Sequence, residues 1–203
     1  MMKANAEPAQ GIMRADARRN YDGLLAAARA TFAEQGTDAS LREVARRASV
    51  GIGTLYRHFP TRQALLEALL GQGFDTLRAQ AVDLLDAPDP RDALVTWLHG
   101  LAIASTRYEG LPASVVDALQ DPTSRLHASC EGLRTAAAEL LERAQRAGQI
   151  REDLKANELL ATANGMAWVA KRTSGSVEIL ERYLTLLVDG LATRQGDGAA
   201  GQP

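Results

Sequence analysis

The sequence predicts an all-α protein, a small three-helix domain followed by a larger helical bundle, on three observations. Apolar residues recur at helical spacing along most of the chain. No run alternates at the two-residue period of a half-buried strand. Ala, Leu, Arg and Glu dominate while aromatics make up only 4%. Such residues lose little side-chain freedom in a helix. With 46% hydrophobic residues the chain has enough apolar surface to bury a sizeable core.

The elements follow in order. Residues 1–13 carry Pro8 and Gly11 without periodicity and are expected to form a disordered lead. A first helix is expected from Ala17 to Gln35, with Leu25, Ala28 and Phe32 on one face and Gly36 as its stop. Ser40 opens a short helix as N-cap, and Glu43 three residues on completes a capping box. Leu41, Val44, Ala45 and Ala48 give that helix its apolar side. A tight turn at Ser49-Val50-Gly51 leads into a second short helix, Ile52 to His58, which Pro60 ends. Thr61 caps a long helix running to about Leu85, broken by Pro88 and Pro90. Within it, Gly71-Gln72-Gly73 is the expected soft point, since each helical glycine costs about 0.5–1 kcal/mol against alanine. Three further helices are read around Trp97, Leu140 and Asn157–Lys171, and a last one from Val177 to Leu191. Residues 192–203 read as a frayed tail.

The informative segment is Ser40 to Leu66, SLREVARRASVGIGTLYRHFPTRQALL. It has helix, three-residue turn and helix, with small Ala45 at the crossing and Val50 and Leu55 as the apolar contacts that fix the angle. Those are the physical demands of a helix-turn-helix, whose second helix enters the DNA major groove. In its residues the segment resembles the TetR family. The matching positions are Ser40, Val44-Ala45, Ala48-Ser49-Val50-Gly51, Gly53-Thr54-Leu55-Tyr56-Arg57-His58-Phe59, Arg62 and Leu65, after a first helix ending Phe32-Ala33-Glu34-Gln35-Gly36. Three positions depart from the family pattern. Ser49 stands where the turn glycine is usual, Gly51 where a serine is usual, and Arg62 where lysine is usual.

The resemblance, with the chemistry of the side chains, implies roles. Ser40, Thr54, Tyr56, His58 and Arg62 would hold phosphates. Ile52, Gly53, Thr54 and Arg57 would face base edges, Arg57 suiting guanine O6 and N7. Arg14, Arg18 and Arg19 could reach a phosphate or the minor groove. Arg42, Arg46 and Arg47 read better as a solvated helix face. Gly51-x-Gly53 is no nucleotide loop, since no strand precedes it. Residues 14–60 are thus expected to be the DNA-binding domain, and 61–191 a domain for ligand binding and dimerisation.

Charge divides along the same line. Residues 1–62 hold ten Lys and Arg against six Asp and Glu, and the remainder holds thirteen against nineteen. A basic front and an acidic rear suggest that only the front meets a polyanion. The single cysteine, Cys130, excludes a disulfide within the chain. No stretch has the length and apolarity of a membrane span, and no leader peptide is evident, so a cytoplasmic protein is expected.

In the rear domain Trp97, Tyr108, Met166 and Trp168 are the large or polarisable residues in an Ala/Leu background. They are either plain core or the lining of a small-molecule site. Ala161 and Gly165 permit close helix approach, and Leu180, Leu184, Leu187 and Leu191 form an apolar stripe. These are the expected dimer seam, with the chain's own core as the alternative use of the stripe. His127, Cys130 and Glu131 share one side of a helix but make an incomplete metal set, so no metal and no cofactor is expected. No nucleophile–base pair or paired carboxylates point to catalysis. The reading that results is a ligand-released, dimeric regulator, most simply a repressor, on a palindromic operator. A helical-bundle enzyme or ligand carrier, and a DNA binder without an inducer, stand as alternatives.

Overall fold

The computed structural model describes residues 7–106, 111–173 and 177–192. These form α1 (Glu7–Gln35), α2 (Leu41–Arg47), α3 (Ile52–His58), α4 (Arg62–Leu84), α5 (Pro90–Ser105), α6 (Ala113–Gln120), α7 (Arg125–Arg146), α8 (Ala156–Thr173) and α9 (Val177–Leu191). No strand occurs among the described residues, whose extended backbone meets only at an isolated antiparallel bridge, Ile150 to Ala192. No described helix is long and apolar enough to cross a membrane.

Local chemistry sets most boundaries. The Thr61 hydroxyl accepts from the Ala64 amide at 3.0 Å and caps α4. Asp89 accepts from the Asp92 amide at 3.0 Å and caps α5, with Pro90 in the first turn, where its missing N–H costs nothing. Gly36 ends α1 in the left-handed region at φ 82°, its amide donating to the Phe32 carbonyl at 2.9 Å. Two elements differ from expectation. α1 begins at Glu7 rather than Ala17, because Pro8 suits a first helical turn even where apolar periodicity is absent. α6 is a helix that periodicity did not reveal, since its two turns bury only Val115. The rest of the expected lead, residues 1–6, and residues 193–203 of the tail lie outside the described residues.

The chain folds as two compact units, residues 1–71 with 108–126, and residues 72–107 with 127–203. The division falls inside α4, between Gly71 and Gln72. The sequence boundary was expected after Pro60; by packing, the first half of α4 and α6 go with α1 to α3. In the first unit Leu24, Ala28, Val44, Leu55, Leu65 and Leu69 are fully buried. Each such leucine contributes about 1.5–3 kcal/mol of apolar burial. In the second unit α5 packs on α8 and α9, and α8 on α9. Its core joins Trp97 and Leu98 of α5, Leu140 of α7, Ala163 and Ala167 of α8, and Leu184 and Val188 of α9.

Candidate nucleic-acid interface

α2 ends in a turn that sets the direction of α3. The Val50 amide donates to the Ala45 carbonyl at 3.0 Å and the Ser49 amide to Arg46 at 3.1 Å. This paired closure is a Schellman motif, and it requires a left-handed residue at Ser49, whose φ is 56°. A β-carbon there costs about 1–2 kcal/mol. Part of that gain is offset by the freer unfolded chain of a glycine. Ser49→Gly should therefore stabilise the protein by about 0.5–1 kcal/mol in urea unfolding. A loss of stability would mean that the Ser49 hydroxyl makes a contact worth more than the strain.

α3 presents two faces. Leu55, fully buried, and Phe59, 2% exposed, anchor it to the unit's core. Gly53, Tyr56 and Arg57 share the opposite, solvent-facing side at helical spacing. Tyr56 is 49% exposed, a large aromatic side chain left half open to solvent. A β-carbon on Gly53 would meet nothing within 4 Å, so nothing inside the chain demands glycine there. Ile52 and Thr54 are half-buried at the leading end. Gly51 is the N-cap of α3 and makes no side-chain cap bond.

Several expected DNA residues have partners within the chain, Arg57 and Thr54 among them at 3.0 Å. Ser40 caps α2 by accepting from the Arg42 amide at 3.2 Å. The expected return bond from Glu43 does not form. Its carboxylate instead takes Arg46 at 2.7 and 2.8 Å and Arg47 at 2.9 Å, and Arg47 continues to Glu34 at 2.6 Å. Charge-assisted bonds to two guanidiniums outcompete one backbone amide. They hold the Glu43 carboxyl down to about 2 and lower that of Glu34 through Arg47. The ladder is thus ionised at any ordinary pH, and its acids are matched by cations. His58 is half-buried, its ring set edge-on to Tyr21 at 6.0 Å, and Tyr21 stacks on Phe59 at 5.0 Å. Tyr21 was not singled out from the sequence, although it lies four residues before Leu25 on the same helical face.

Arg62 departs furthest from expectation. Its Nη1 donates to the carbonyls of Thr37 at 2.7 Å and Ala39 at 2.6 Å, and its guanidinium lies 6.0 Å from the Phe32 ring centroid. Thr37 and Ala39 are buried, in the loop that delivers Ser40 to α2. The group expected at a phosphate thus clamps that loop from the first turn of α4. Both bonds come from Nη1, whose two N–H groups supply one donor to each carbonyl.

In the second unit the expected ligand and dimer residues separate. Trp97 is 1% exposed within the core and its indole N–H donates to the Leu77 carbonyl at 2.8 Å. Met166 is half-buried on α8, and Tyr108 lies outside the described residues. Trp168 is 57% exposed, with the Arg172 guanidinium 4.6 Å over its ring. Leu180 and Leu184 face the chain's own core at 5% and 2% exposure, with Leu187 and Leu191 packed beside them. Ala161 and Gly165 are exposed, on the same side of α8 as Trp168 and Val169. No group of three or more His, Cys, Asp or Glu among the described residues is placed to hold a metal. Burial raises the Cys130 thiol above its ordinary value, which works against a reactive thiolate.

Two family models match the chain, one toward each end. Residues 24–69 match the family model described as bacterial regulatory proteins, tetR family. Residues 89–193 match the model of the SbtR-like transcriptional regulator C-terminal domain. The chain is 30% identical over 192 residues to the HTH-type transcriptional repressor KstR2 of Rhodococcus jostii, covering 84% of this chain and 90% of that one. It is also similar to a TetR transcriptional regulator of Streptomyces coelicolor of known structure, with 34% identity and a TM-score of 0.67 over 86% of this chain and 99% of that one. A TetR regulatory protein of Mycobacterium vanbaalenii aligns at 32% identity with a TM-score of 0.63, over 89% and 99% of the two chains.

Proposed function

The chain belongs to the TetR family of bacterial regulatory proteins and is a helix-turn-helix transcriptional regulator, and we propose that it is a dimeric repressor that reads a palindromic operator through α3 and is released by a small ligand. Its role is regulatory rather than catalytic, and it works in the cytoplasm, where its DNA is. The observation that carries the DNA reading is the exposed face of α3, where Gly53, Tyr56 and Arg57 stand clear over a buried Leu55. Gly53 allows close backbone approach, Arg57 can fork onto a guanine, and the Tyr56 hydroxyl can reach a phosphate. Ser40, Ile52 and Thr54 flank that face, and His58 supports it through Tyr21.

Two copies of α3 must sit about 34–36 Å apart to enter successive major grooves, which requires a dimer. We place the subunit seam on the exposed side of α8, at Ala161, Gly165, Trp168 and Val169, with Leu186 of α9, rather than on the inward leucines. A ligand acts by binding better to a form of the dimer whose reading heads no longer match that spacing. Of the residues singled out for a ligand, Met166 keeps a half-buried place on α8 suited to it, while Trp97 is core and Trp168 fits the seam.

The test of the α3 reading compares a selected operator with scrambled DNA of equal length. Arg57→Ala should cost about 1–3 kcal/mol on the operator and little on the scrambled duplex. Tyr56→Phe should weaken both alike. Equal losses on both duplexes for Arg57→Ala would remove it from the base readers.

A further inference from the structure

Arg57 is exposed, yet its guanidinium is not left to wander. Its Nη2 donates to the Thr54 hydroxyl oxygen at 3.0 Å, and its Nε reaches the Gly53 carbonyl oxygen at 3.4 Å. Both acceptors lie one turn back toward the start of α3. The two bonds use the side edge of the guanidinium, the Nε–H and the neighbouring N–H of Nη2. They leave over its end edge, the remaining N–H of Nη2 and those of Nη1. That end edge is a parallel pair of donors, the geometry that matches guanine O6 and N7. A free arginine samples many rotamers, and freezing one at the moment of binding weakens the contact it makes. Here the rotamer is already held. The hydroxyl oxygen of Thr54 supplies the shorter of the two bonds, and the Gly53 carbonyl is engaged within the helix in any case.

We propose that Thr54 is a specificity-determining positioning residue, whose hydroxyl holds the Arg57 guanidinium with its end edge turned to a guanine. This rests on the reading of α3 as the groove-facing helix. The hydroxyl accepts from Arg57, so its own proton remains free, and the positioning role does not require Thr54 to touch the DNA.

The test uses the full-length protein and the tightest duplex recovered from a random-sequence pool. Each G·C pair of the half-site is changed to A·T one at a time, and salt dependence is measured on the parent duplex. Thr54→Val keeps the shape and removes the acceptor, while Thr54→Ser keeps the oxygen. Thr54→Val should lose about tenfold of the preference for one guanine, the same guanine whose preference Arg57→Ala removes. Thr54→Ser should retain it. The double variant should be no worse at that position than Arg57→Ala alone, because the two side chains act through one contact. The slope of log affinity against log salt should not change with Thr54→Val. Full retention of the preference in Thr54→Val, or additive losses in the double variant, overturns the proposal. So does an equal loss on every duplex with no guanine singled out, which would make Thr54 a phosphate contact through its neutral hydroxyl. If Arg57→Ala alters no base preference at all, the reading of α3 falls and the proposal falls with it. If Arg57→Ala is selective and Thr54→Val is not, only the proposal fails.

Discussion

Replacing Arg62 with alanine is expected to destabilise the protein by about 2–3 kcal/mol and to weaken DNA binding without changing its salt dependence. The cause is the clamp on the loop between α1 and α2. One guanidinium nitrogen holds the carbonyls of Thr37 and Ala39 at 2.7 and 2.6 Å, and both residues are buried. A hydrogen bond to a charged group is worth about 1.5–3 kcal/mol where it is partly shielded, and stranding the acceptors adds to the loss. The loop delivers Ser40 and the start of α2, so loosening it moves the support on which α3 rests. Affinity then falls through misplacement rather than through a missing ion pair. The distinction is measurable. Deleting a phosphate contact lowers the slope of log affinity against log salt by about 0.9, whereas loosening a support leaves it unchanged. Urea unfolding and a salt titration of Arg62→Ala decide the matter together. Unchanged stability with a reduced slope would return Arg62 to the phosphates. Arg62→Lys should fall between wild type and Arg62→Ala in stability, since an ammonium keeps the charge and the donors but sits one bond short of the position of Nη1.

The second large effect is expected at the seam. Trp168→Glu should convert the dimer to a monomer at micromolar concentration, and operator affinity should fall with it. Trp168 is 57% exposed, Val169 40% and Leu186 60%, all large apolar residues that a lone chain would leave in water. Gly165 lies on the same side of α8, and a β-carbon there would meet nothing within 4 Å. A mid-helix glycine costs about 0.5–1 kcal/mol, so one that no packing inside the chain requires fits close approach by a second helix. Glutamate at position 168 removes the apolar contact of the indole and brings two carboxylates together across a two-fold interface, a charge that Arg172 one turn on offsets only in part. Light scattering reads the outcome directly. A persistent dimer in Trp168→Glu places the seam elsewhere.

How much of this was legible depended on the range of the interaction. The α2–turn–α3 segment could be read residue by residue because its signals are local. Ser40 caps, Ser49 and Val50 close the turn, and Pro60 follows the end of α3. Even the cost of Ser49 could be foreseen, since only one residue in the turn must be left-handed. Glu43 misled because its spacing from Ser40 fits a capping box, while the same spacing toward Arg46 and Arg47 offers it two cations. Arg62 could not be read at all. Its partners lie 25 and 23 residues away, and nothing in the sequence says which carbonyls a side chain will meet. The leucine stripe of α9 showed that one face is buried but not against what. Leu184 at 2% exposure in the single chain supplies that answer. For the same reason Trp97 was open between core and pocket until its indole N–H was seen on the Leu77 carbonyl.

The central claim is that two copies of this chain read an inverted repeat through α3. Selection of bound duplexes from a random-sequence pool, followed by mass determination of the complex, tests it most directly. The account predicts enrichment of one inverted repeat whose half-sites are about 10 base pairs apart, or a multiple of that, with protein bound in pairs. It further predicts that Arg57→Ala relaxes one position in each half-site. A pool that yields no enriched sequence, or an enriched site without two-fold symmetry bound by a single chain, would contradict it.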